Sequence, residues 1–351
     1  MSARLRILWM LLAGLMLFVC GIPGRMQGSA NVPSASYALV LPYGAGTRAV
    51  GMVSSGERDP SEPPLCPAMF QMAHDGTLWV LDSINARILG FNEGVQTRSV
   101  SLTDFAKGPQ LFGVTRSAVL AFRQSRRNDM PAGAMLRFDL ATQTETTVDL
   151  DLPDGTPFSP WGVSPLGGEN ARLLVSGTTS PHNRTVSLVL DERGNVTGVM
   201  EDTSGFSLLP GADGSVWGLQ RADTETEAAL PVTLKKYDFL RSAWQDVCSI
   251  TLPKRAELAA QRAKVRLRSL GVDSRGIAAV VLFEGRPGQP RFVRFPVPGG
   301  PAVAFTLEDL GLDSAPLTKH FANECYQLLP DGTILAQYAT PERYQILRIS
   351  F

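Results

Sequence analysis

Arginine residues cluster in one polar stretch of the sequence that contains Arg123, Arg126 and Arg127. Guanidinium groups at this spacing can bind a carboxylate, a phosphate or an acidic glycan through charge-assisted hydrogen bonds. A second basic group extends through residues 254–268, and acidic residues at 223–227 lie between the two along the chain. Ordinary solvated loop charges are the alternative, and the sequence leaves both interpretations open.

The residues needed for metal or nucleophilic chemistry are sparse. The chain has three histidines, His74, His182 and His320, and they form no H-E-x-x-H motif and no paired cysteine and histidine spacing. It also has no calcium loop of the D-x-D-x-D-G kind, no G-x-S-x-G elbow and no phosphate-binding glycine loop. We therefore predict no catalytic residues, no cofactor and no metal ligands, and we favour a binding protein over an enzyme.

The overall charge excludes a general attraction to nucleic acid or to an anionic membrane surface. Lys plus Arg number 33 and Asp plus Glu number 33, so the formal net charge is +0. Aromatic residues that could stack on bases are not interleaved with the arginines, which argues against nucleic acid. Recognition must be local, and the expected partner is a protein, a glycan or a small anionic ligand.

The first 30 residues are typical of an export signal. Arg4 and Arg6 precede an apolar run over residues 7–22, and small polar residues follow it. Cleavage is expected after Ala30, which would place the mature protein in the periplasm or outside the cell. Two alternatives stay open, a lipid attached at Cys20 and an uncleaved membrane anchor. In either case, contact with a membrane is expected only through this segment.

The elements that must position any site are short strands joined by Asp-Gly turns. Residues 72–91, MAHDGTLWVLDSINARILGF, read as two strands around an Asp-Gly turn, followed by a polar loop and a third strand. Weaker copies recur towards the C-terminus, and those around Asp213 and Asp331 are the clearest. Such a unit cannot bury its own apolar faces, so its repetition predicts sheets packed against one another.

Six copies of this unit can be aligned by their first strands. The strands begin near Phe70, Phe112, Trp161, Phe206, Leu270 and Tyr326. The sixth copy has no residues left for a fourth strand, and residues 48–53 can supply it. We therefore predict an all-β, six-bladed β-propeller over residues 31–351, in which an N-terminal strand closes the last blade and removes the open sheet edges.

The segment DGTLWVLDSINARILGF resembles the repeat of the NHL family of six-bladed β-propellers. The resemblance is specific over residues 70–100 and becomes that of a generic propeller repeat over most of residues 48–351. It implies that Asp82, Asn85 and Arg87, which belong to the D-S-x-N-x-R pattern, mainly shape the turn between the second and third strands.

Long insertions fall in connections that open on one face of a propeller. Connections between second and third strands are lengthened at 123–133, 177–184, 220–231 and 284–290, and a predicted helix at 254–266 lengthens the connection to the fifth blade. One-sided insertions are typical of a binding face, although insertions also drift wherever core packing permits. We predict a binding module with these candidate face residues: Arg123, Arg126, Arg127, His182, Arg184 and Arg221.

The alternative function is a metal-dependent hydrolase or lyase with its site in the central channel, as in six-bladed lactonases and lyases. A calcium-dependent lactonase would need a carboxylate, an asparagine and an aspartate that converge on the axis. Glu62, Asn85 and Asp82 are present, but their spacing does not reproduce the motifs of that family. A divalent metal is expected only under this alternative.

Three cysteines lie beyond the signal, so at least one of them is unpaired. They are Cys66, Cys248 and Cys325. Cys66 and Cys325 precede the first strands of the first and last copies, which are neighbours in a closed ring. A ring-closing disulfide is one prediction, and small buried hydrophobic residues are the other.

Overall fold

The computed structural model is an all-β protein, and it describes residues 33–46, 48–52, 67, 69–102, 111–123, 133–168, 171–180, 183–221, 229–253, 266–284, 289–313 and 325–351. The strands within these ranges form six antiparallel sheets of four strands each. The sheets are the blades of a six-bladed β-propeller, as the sequence predicts, and we number them 1 to 6 along the chain.

Each blade runs from an inner strand at the axis to an outer strand at the rim. Blades 1 to 3 contain, from the inside outwards, β2 (Met69–Met72), β3 (Leu78–Asp82), β4 (Arg87–Asn92) and β5 (Val95–Ser101); β6 (Leu111–Val114), β7 (Ala118–Arg123), β8 (Ala134–Asp139) and β9 (Glu145–Asp149); and β10 (Phe158–Leu166), β11 (Arg172–Thr179), β12 (Thr185–Leu190) and β13 (Val196–Met200).

Blades 4 to 6 have the same arrangement, except that the outer strand of blade 6 comes from the N-terminal part of the chain. They contain β14 (Phe206–Pro210), β15 (Val216–Arg221), β16 (Ala229–Asp238) and β17 (Ala243–Pro253); β18 (Arg266–Val272), β19 (Ile277–Glu284), β20 (Gln289–Pro296) and β21 (Val303–Thr306); and β22 (Tyr326–Leu328), β23 (Ile334–Gln337), β24 (Arg343–Ser350) and β1 (Ser34–Pro42). A short 3-10 helix, Glu308–Leu310, follows β21.

The Asp-Gly turns recur because one local geometry serves three blades. The carboxylate of Asp75 accepts a hydrogen bond from the N–H of Thr77 at 2.9 Å, and Asp213 and Asp331 accept in the same way from the residue two positions further on. The glycine after each aspartate has a φ between 82° and 87°, a region that strains any other residue. The turn chemistry therefore sets where the inner strands of these three blades end.

The ring closes where β1 pairs antiparallel with β24, from Ser34 beside Ser350 to Pro42 beside Arg343. Closure of the last blade by an N-terminal strand, which the sequence predicts, is thus confirmed. Closure also covers the edge of β24, which would otherwise present unpaired backbone groups to other chains.

The closing strand is not residues 48–53, which is where the sequence analysis placed it. Residues 48–52 turn back on the end of β1, and the N–H of Val50 donates to Pro42 O at 3.0 Å. β1 takes the closing position by pairing with β24 along its whole length, and it buries Leu39 and Leu41 in the core between blades 6 and 1. Val50 is buried in the same core without joining the sheet as a strand. Residue 53 lies outside the described residues.

The hydrophobic core of the described structure consists of six clusters, and each cluster lies between two neighbouring blades. Between blades 6 and 1, for example, Leu39 packs with Phe70 of blade 1 and Tyr344 of blade 6. A blade therefore depends on both of its neighbours to bury its apolar faces, which is the behaviour expected of a repeat that cannot fold alone.

Cys325 is a buried free thiol in the core between blades 6 and 1, and it lies 3.6 Å from Phe70 O as a hydrogen-bond donor. Burial raises the pKa of this thiol, so it stays protonated near neutral pH. The expected ring-closing disulfide is therefore not formed, and Cys325 behaves as the small buried hydrophobic residue of the alternative prediction. Its expected partner, Cys66, lies outside the described residues.

Several sequence predictions concern residues that the structure does not describe. They are the export signal at 1–30, nearly all of the predicted helix at 254–266 and the centres of the insertions at 124–132 and 222–228. Within the described part of the chain, no helix has both the length and the apolar character needed to cross a membrane.

Candidate functional site

The six inner strands surround a cavity of about 810 Å³ along the propeller axis, and residues from all six line its wall. The cavity has two different ends. The inner strands begin at the end that also carries the connections between second and third strands, which we call the loop end. They finish at the turns into the second strands, which we call the turn end.

Hydrogen bonds between adjacent blades join the inner strands near the turn end. The N–H of Gly167 donates to Gly211 O at 3.0 Å, and the N–H of Ser274 donates to Pro330 O at 2.9 Å. A Cβ at Gly167 would collide with the carbonyl oxygen of Ala212, so this close approach requires glycine. These contacts hold the blades together around the axis.

Two glutamines at equivalent positions of β2 and β22 continue these contacts. The side-chain amide of Gln71 accepts from the N–H of Val114 at 2.9 Å and donates to Val114 O at 3.1 Å. Gln327 forms the same pair with the backbone of Met72, at 2.7 and 3.1 Å. Each buried amide thus acts as an extra strand partner, and together they join blades 6, 1 and 2.

A β-bulge in β10 shapes the cavity wall towards the loop end. Pro160 pairs with Gly177 and Gly162 pairs with Ser176, which leaves Trp161 unopposed in the ladder. Trp161 lines the cavity and is 53% exposed. Bulges redirect side chains and are common beside functional sites. The bulge therefore presents a large aromatic surface to the cavity.

Three hydroxyl groups form a chain in the wall beside Trp161. Ser176 Oγ lies 3.0 Å from Ser187 Oγ, which in turn lies 3.3 Å from Thr203 Oγ1. Ser187 is fully buried, and its neighbours Ser176 and Thr203, which are 8% and 3% exposed, line the cavity. Ser176 lies directly across the ladder from Gly162, which has no side chain to cover it. The wall thus combines an aromatic surface with fixed polar groups.

Phe206 adds a second aromatic ring to this part of the wall. Its ring stacks on that of Trp244 with a centroid distance of 4.3 Å, and its N–H donates to Thr203 O at 3.1 Å. The stacking fixes the ring orientation. Trp161, Ser176, Thr203 and Phe206 all line the cavity where blades 3 and 4 meet, and we call these four residues the blade 3–4 wall.

The charged side chains of the cavity wall lie elsewhere and are held by neighbours. The Arg268 guanidinium lies over the Tyr326 ring at 5.7 Å, and Arg172 donates to Gly214 O at 3.2 Å. A ring nitrogen of His74 lies 3.5 Å from an arginine guanidinium. Among the described residues, no group of three or more His, Cys, Asp and Glu side chains is arranged to hold a metal ion.

The predicted face residues that the structure describes lie at the loop end of three successive blades. Arg123 ends β7, Arg184 precedes β12 and Arg221 ends β15. The following predicted face residues lie outside the described residues: Arg126, Arg127 and His182.

Arg184 is the face residue whose neighbours connect it to the blade 3–4 wall. It pairs with Glu201 at 3.5 Å, and both side chains of this ion pair are exposed. The next residue, Thr185, accepts a hydrogen bond from the N–H of Thr203 at 3.1 Å. The ion pair therefore lies at the rim of the wall, where solvent screens its interaction.

The residues of the NHL-like pattern form a buried anchor outside the cavity. The Asp82 carboxylate is fully buried and accepts from Arg87 Nε at 3.0 Å, Asn85 Nδ2 at 2.8 Å and the N–H of Gly51 at 3.0 Å. Arg87 also donates to Ala49 O at 2.7 Å. These residues shape the turn, as the resemblance implies, and they also fix the segment that follows β1.

This anchor bears on the lactonase-like alternative. Asp82 and Asn85 are two of the three residues considered for that function, and both are hydrogen-bonded within the anchor. The third, Glu62, lies outside the described residues. Neither Asp82 nor Asn85 lines the axial cavity.

Sequence patterns did not reveal the cavity residues. An aromatic residue and a glutamine precede the Asp-Gly turns of both the first and the sixth copies, and this shared context is the signal that could have identified Gln71 and Gln327. The exposure of Trp161 and the contacts of Ser187 with Ser176 and Thr203 have no such signal, because they depend on strand register and on how distant segments pack.

No protein-family model matches the chain, and no curated protein matches it significantly. Among solved structures, it is similar to a presumed exported protein of Bacteroides fragilis, with 10% identity over 91% of this chain and 95% of the other, and a TM-score of 0.52. It is also similar to virginiamycin B lyase of Staphylococcus aureus, with 14% identity over 81% of this chain and 94% of the other, and a TM-score of 0.42. A calcium-binding regucalcin of Agrobacterium tumefaciens gives 14% identity, 78% and 85% covered, and a TM-score of 0.41. These similarities concern the fold alone.

Proposed function

We propose that the protein is an exported, NHL-like propeller that binds a ligand in its axial cavity, from the loop end. The observation that carries the proposal is Trp161, which is 53% exposed in the wall of a cavity of about 810 Å³. A concave apolar cavity with a few fixed polar groups is the usual form of a small-molecule site. Tryptophan is also enriched among the residues that dominate binding energy.

The rigidity of the wall supports this proposal. The core clusters between blades and the hydrogen bonds at the turn end hold the inner strands, and Trp244 fixes the ring of Phe206. A preformed site loses little conformational entropy when a ligand binds, so more of the contact energy becomes affinity. Arg123, Arg184 and Arg221 then lie where they can steer an anionic group or contact a protein partner at the rim.

Export and the NHL-like assignment rest on the sequence. The basic residues and apolar run of the first 30 residues support export to the periplasm or to the outside of the cell. The buried anchor around Asp82 supports the NHL-like assignment, because each residue of the D-S-x-N-x-R pattern takes part in it or in the turn that it shapes. A glycan, a small anionic ligand and a protein are the partners that fit this assignment.

The described residues of the cavity give no support to the hydrolase or lyase alternative. Such an enzyme needs converging carboxylate, amide or imidazole groups in the channel. Four of the residues described around the cavity are of these types: His74, Asp331, Gln71 and Gln327. The two glutamine amides are bonded to the backbone of the next blade, and His74 and Asp331 lie at the turn end. We therefore propose no catalytic step.

A substitution that fills the cavity tests the proposed site. Ser164, in the middle of β10, lines the cavity, so Ser164→Trp should block it. Thr146→Trp, on the exposed outer strand β9, adds the same side chain away from the cavity. The purified variants are screened with the wild type by thermal shift against sugars, small anions, peptides and divalent metals.

Ligands that stabilise the wild type and Thr146→Trp should lose their effect on Ser164→Trp, provided that the variant unfolds cooperatively without ligand. Ligands that stabilise all three proteins equally would place binding outside the cavity. A screen in which none of these compounds stabilises the wild type would remove the case for a cavity ligand.

A further inference from the structure

We infer that the ligand of the axial cavity is an uncharged carbohydrate, bound against the blade 3–4 wall with Trp161 under a sugar ring and with Ser176 and Thr203 bonded to sugar hydroxyls. This inference rests on the proposed binding function and names the ligand class. Three features of the wall carry it: the proton count of the hydroxyl chain, the exposed indole and the absence of charge among the described residues of this wall.

The hydroxyl chain must present both a donor and an acceptor to the cavity. Ser176, Ser187 and Thr203 have three hydroxyl protons, and two of these protons are used by the two contacts within the chain. Since Ser187 is fully buried between its neighbours, its proton goes to one of them. Whichever of Ser176 and Thr203 accepts this proton can donate its own hydroxyl proton into the cavity. The other residue donates its proton to Ser187, so its oxygen lone pairs can accept a hydrogen bond from the cavity.

The direction of this chain can reverse without any movement of heavy atoms, because either atom of each pair can be the donor. Such a wall suits ligand groups that both donate and accept, which is the property of sugar hydroxyls. A peptide backbone has fixed N–H donors and fixed carbonyl acceptors. A purely apolar ligand would leave buried hydroxyls unpaired, which is costly in a low-dielectric cavity.

Trp161 supplies the apolar part of the recognition. Its indole is held out of the ladder by the bulge in β10, and 53% of the residue is exposed in the wall. The C–H surface of a sugar ring can cover such an aromatic face and remove it from water, while the ring hydroxyls reach the polar groups at its edge. Trp161 and the hydroxyl chain are adjacent, because Gly162 pairs with Ser176.

The blade 3–4 wall and its described neighbours Gly162 and Ser207 contribute no charged side chain to the lining of the cavity. The Lys235 ammonium lies 6.0 Å from the centroid of the Phe206 ring, but it is paired with the Asp246 carboxylate at 2.9 Å. An ionised ligand group at this wall would lose its hydration without gaining an opposite charge, which is strongly unfavourable. The charged residues of the cavity lie on other strands or at the turn end. The wall therefore selects against anions, although the rim arginines attract them.

The test is a titration of the purified protein followed by tryptophan fluorescence. Trp161 is the most exposed tryptophan of the described residues, so a ligand that covers it should shift the emission and protect it from quenching by acrylamide. The probes are cellotetraose, chitotetraose and an array of neutral glycans. Benzoate, as an aromatic anion, and an apolar tripeptide serve as competing ligand classes.

Three variants remove the recognition groups singly: Trp161→Phe, Ser176→Ala and Thr203→Val. Trp217→Phe is the matched control, because Trp217 is partly buried under the Lys236 ammonium and does not line the cavity. A neutral glycan should bind the wild type and Trp217→Phe equally. Each of the three wall variants should lose roughly tenfold in affinity, the usual effect of losing one hydrogen bond or one aromatic contact. The affinity of Trp161→Phe is measured on the glycan array, because this variant lacks the tryptophan whose fluorescence reports binding.

The outcomes separate this inference from the proposed function. If only benzoate or the tripeptide binds, and Ser164→Trp abolishes that binding, the cavity site stands and the carbohydrate inference is wrong. If a glycan binds the three wall variants as tightly as the wild type, the sugar lies elsewhere and the inference is again overturned. If no probe of any class binds the wild type, the evidence counts against both.

Discussion

Single polar side chains determine how the inner strands of this propeller are joined. Gln71 and Gln327 each satisfy both backbone groups of a residue in the next blade, at distances between 2.7 and 3.1 Å. Both side chains are buried, so water cannot replace the bonds if the amide is lost. Glutamine at the same position of the first and sixth repeats therefore joins its blade to the next one in the same way in both places.

Gln71→Leu should destabilise the protein by about 2–4 kcal/mol, because it leaves the buried N–H and C=O of Val114 without partners. Chemical denaturation followed by circular dichroism measures the free energy of unfolding. Gln245→Leu is the control, since that amide forms an exposed hydrogen bond with Asp238. Equal losses from the two substitutions would contradict the special role of Gln71.

Cys325 should react with iodoacetamide much more slowly than the half-buried Cys248 at about pH 8, just below the ordinary thiol pKa of about 8.5. Burial raises the pKa of both thiols, and Cys325 is also shielded from the reagent. The raised pKa of Cys325 also makes stability depend on pH, because the folded state holds the thiol proton more tightly than the unfolded state. This stabilisation is complete below the unfolded-state pKa and is lost as the pH rises through the folded-state pKa. Mass spectrometry after labelling measures the rates.

The same labelling in denaturant without reductant tests whether Cys325 is a free thiol or is linked to Cys66. If Cys325 is free, it should label completely once the chain unfolds. Protection that persists in denaturant and disappears with reductant would show that Cys325 forms a disulfide after all.

At the scale of elements, turn chemistry is what the sequence predicts best. Asp75-Gly76 and its copies indicate where inner strands end, because carboxylate acceptance and a positive φ are local properties. The closing strand was assigned wrongly because residues 34–42 and 48–53 both have strand-like composition, and both contribute to the core between blades 6 and 1. The choice depends on the long-range ladder with β24, which local composition does not encode. The bulge at Trp161 could not be predicted either, since it exists only relative to the register of β11.

The anchor around Asp82 shows how one turn can secure a distant segment, since its carboxylate binds both the turn and the backbone of Gly51. Asp82→Ala should lower the free energy of unfolding by about 3–5 kcal/mol, because it leaves the Arg87 guanidinium without its buried partner. Denaturation monitored by fluorescence and circular dichroism measures this loss.

Asp154→Ala is the matched control for this anchor. It removes a turn aspartate that accepts from the N–H of Thr156 at 2.9 Å in solvent, and it should have a much smaller effect. A loss for Asp82→Ala no larger than that of the control would mean that the anchor contributes only to the local turn.

At the scale of the whole molecule, stability is shared around the ring. The six core clusters of the described structure each draw on two blades, so a defect in one junction weakens two blades at once. The six-bladed architecture was predictable because the repeat and its count are visible in the sequence. The ligand cavity was not, since its shape arises from the distances between inner strands of different blades.

Leu39→Ala should destabilise the whole ring by about 2–4 kcal/mol, and unfolding should remain a single cooperative transition. Leu39 lies in the core between blades 6 and 1, whereas its neighbour Val40 points outwards from the same strand and is 41% exposed. Val40→Ala should therefore change stability by less than about 0.5 kcal/mol. Differential scanning calorimetry compares the two, and a biphasic transition for Leu39→Ala would indicate that the blades unfold separately.

The pairing of β1 with β24 also has a consequence for the order of events during synthesis. Ser34 leaves the ribosome early and Ser350 late, yet the two are partners in one ladder. The emerging chain must therefore keep its first strand unpaired while all the intervening blades are made. Closure of the ring therefore depends on a contact between segments far apart in the sequence, the kind of contact that forms slowly during folding.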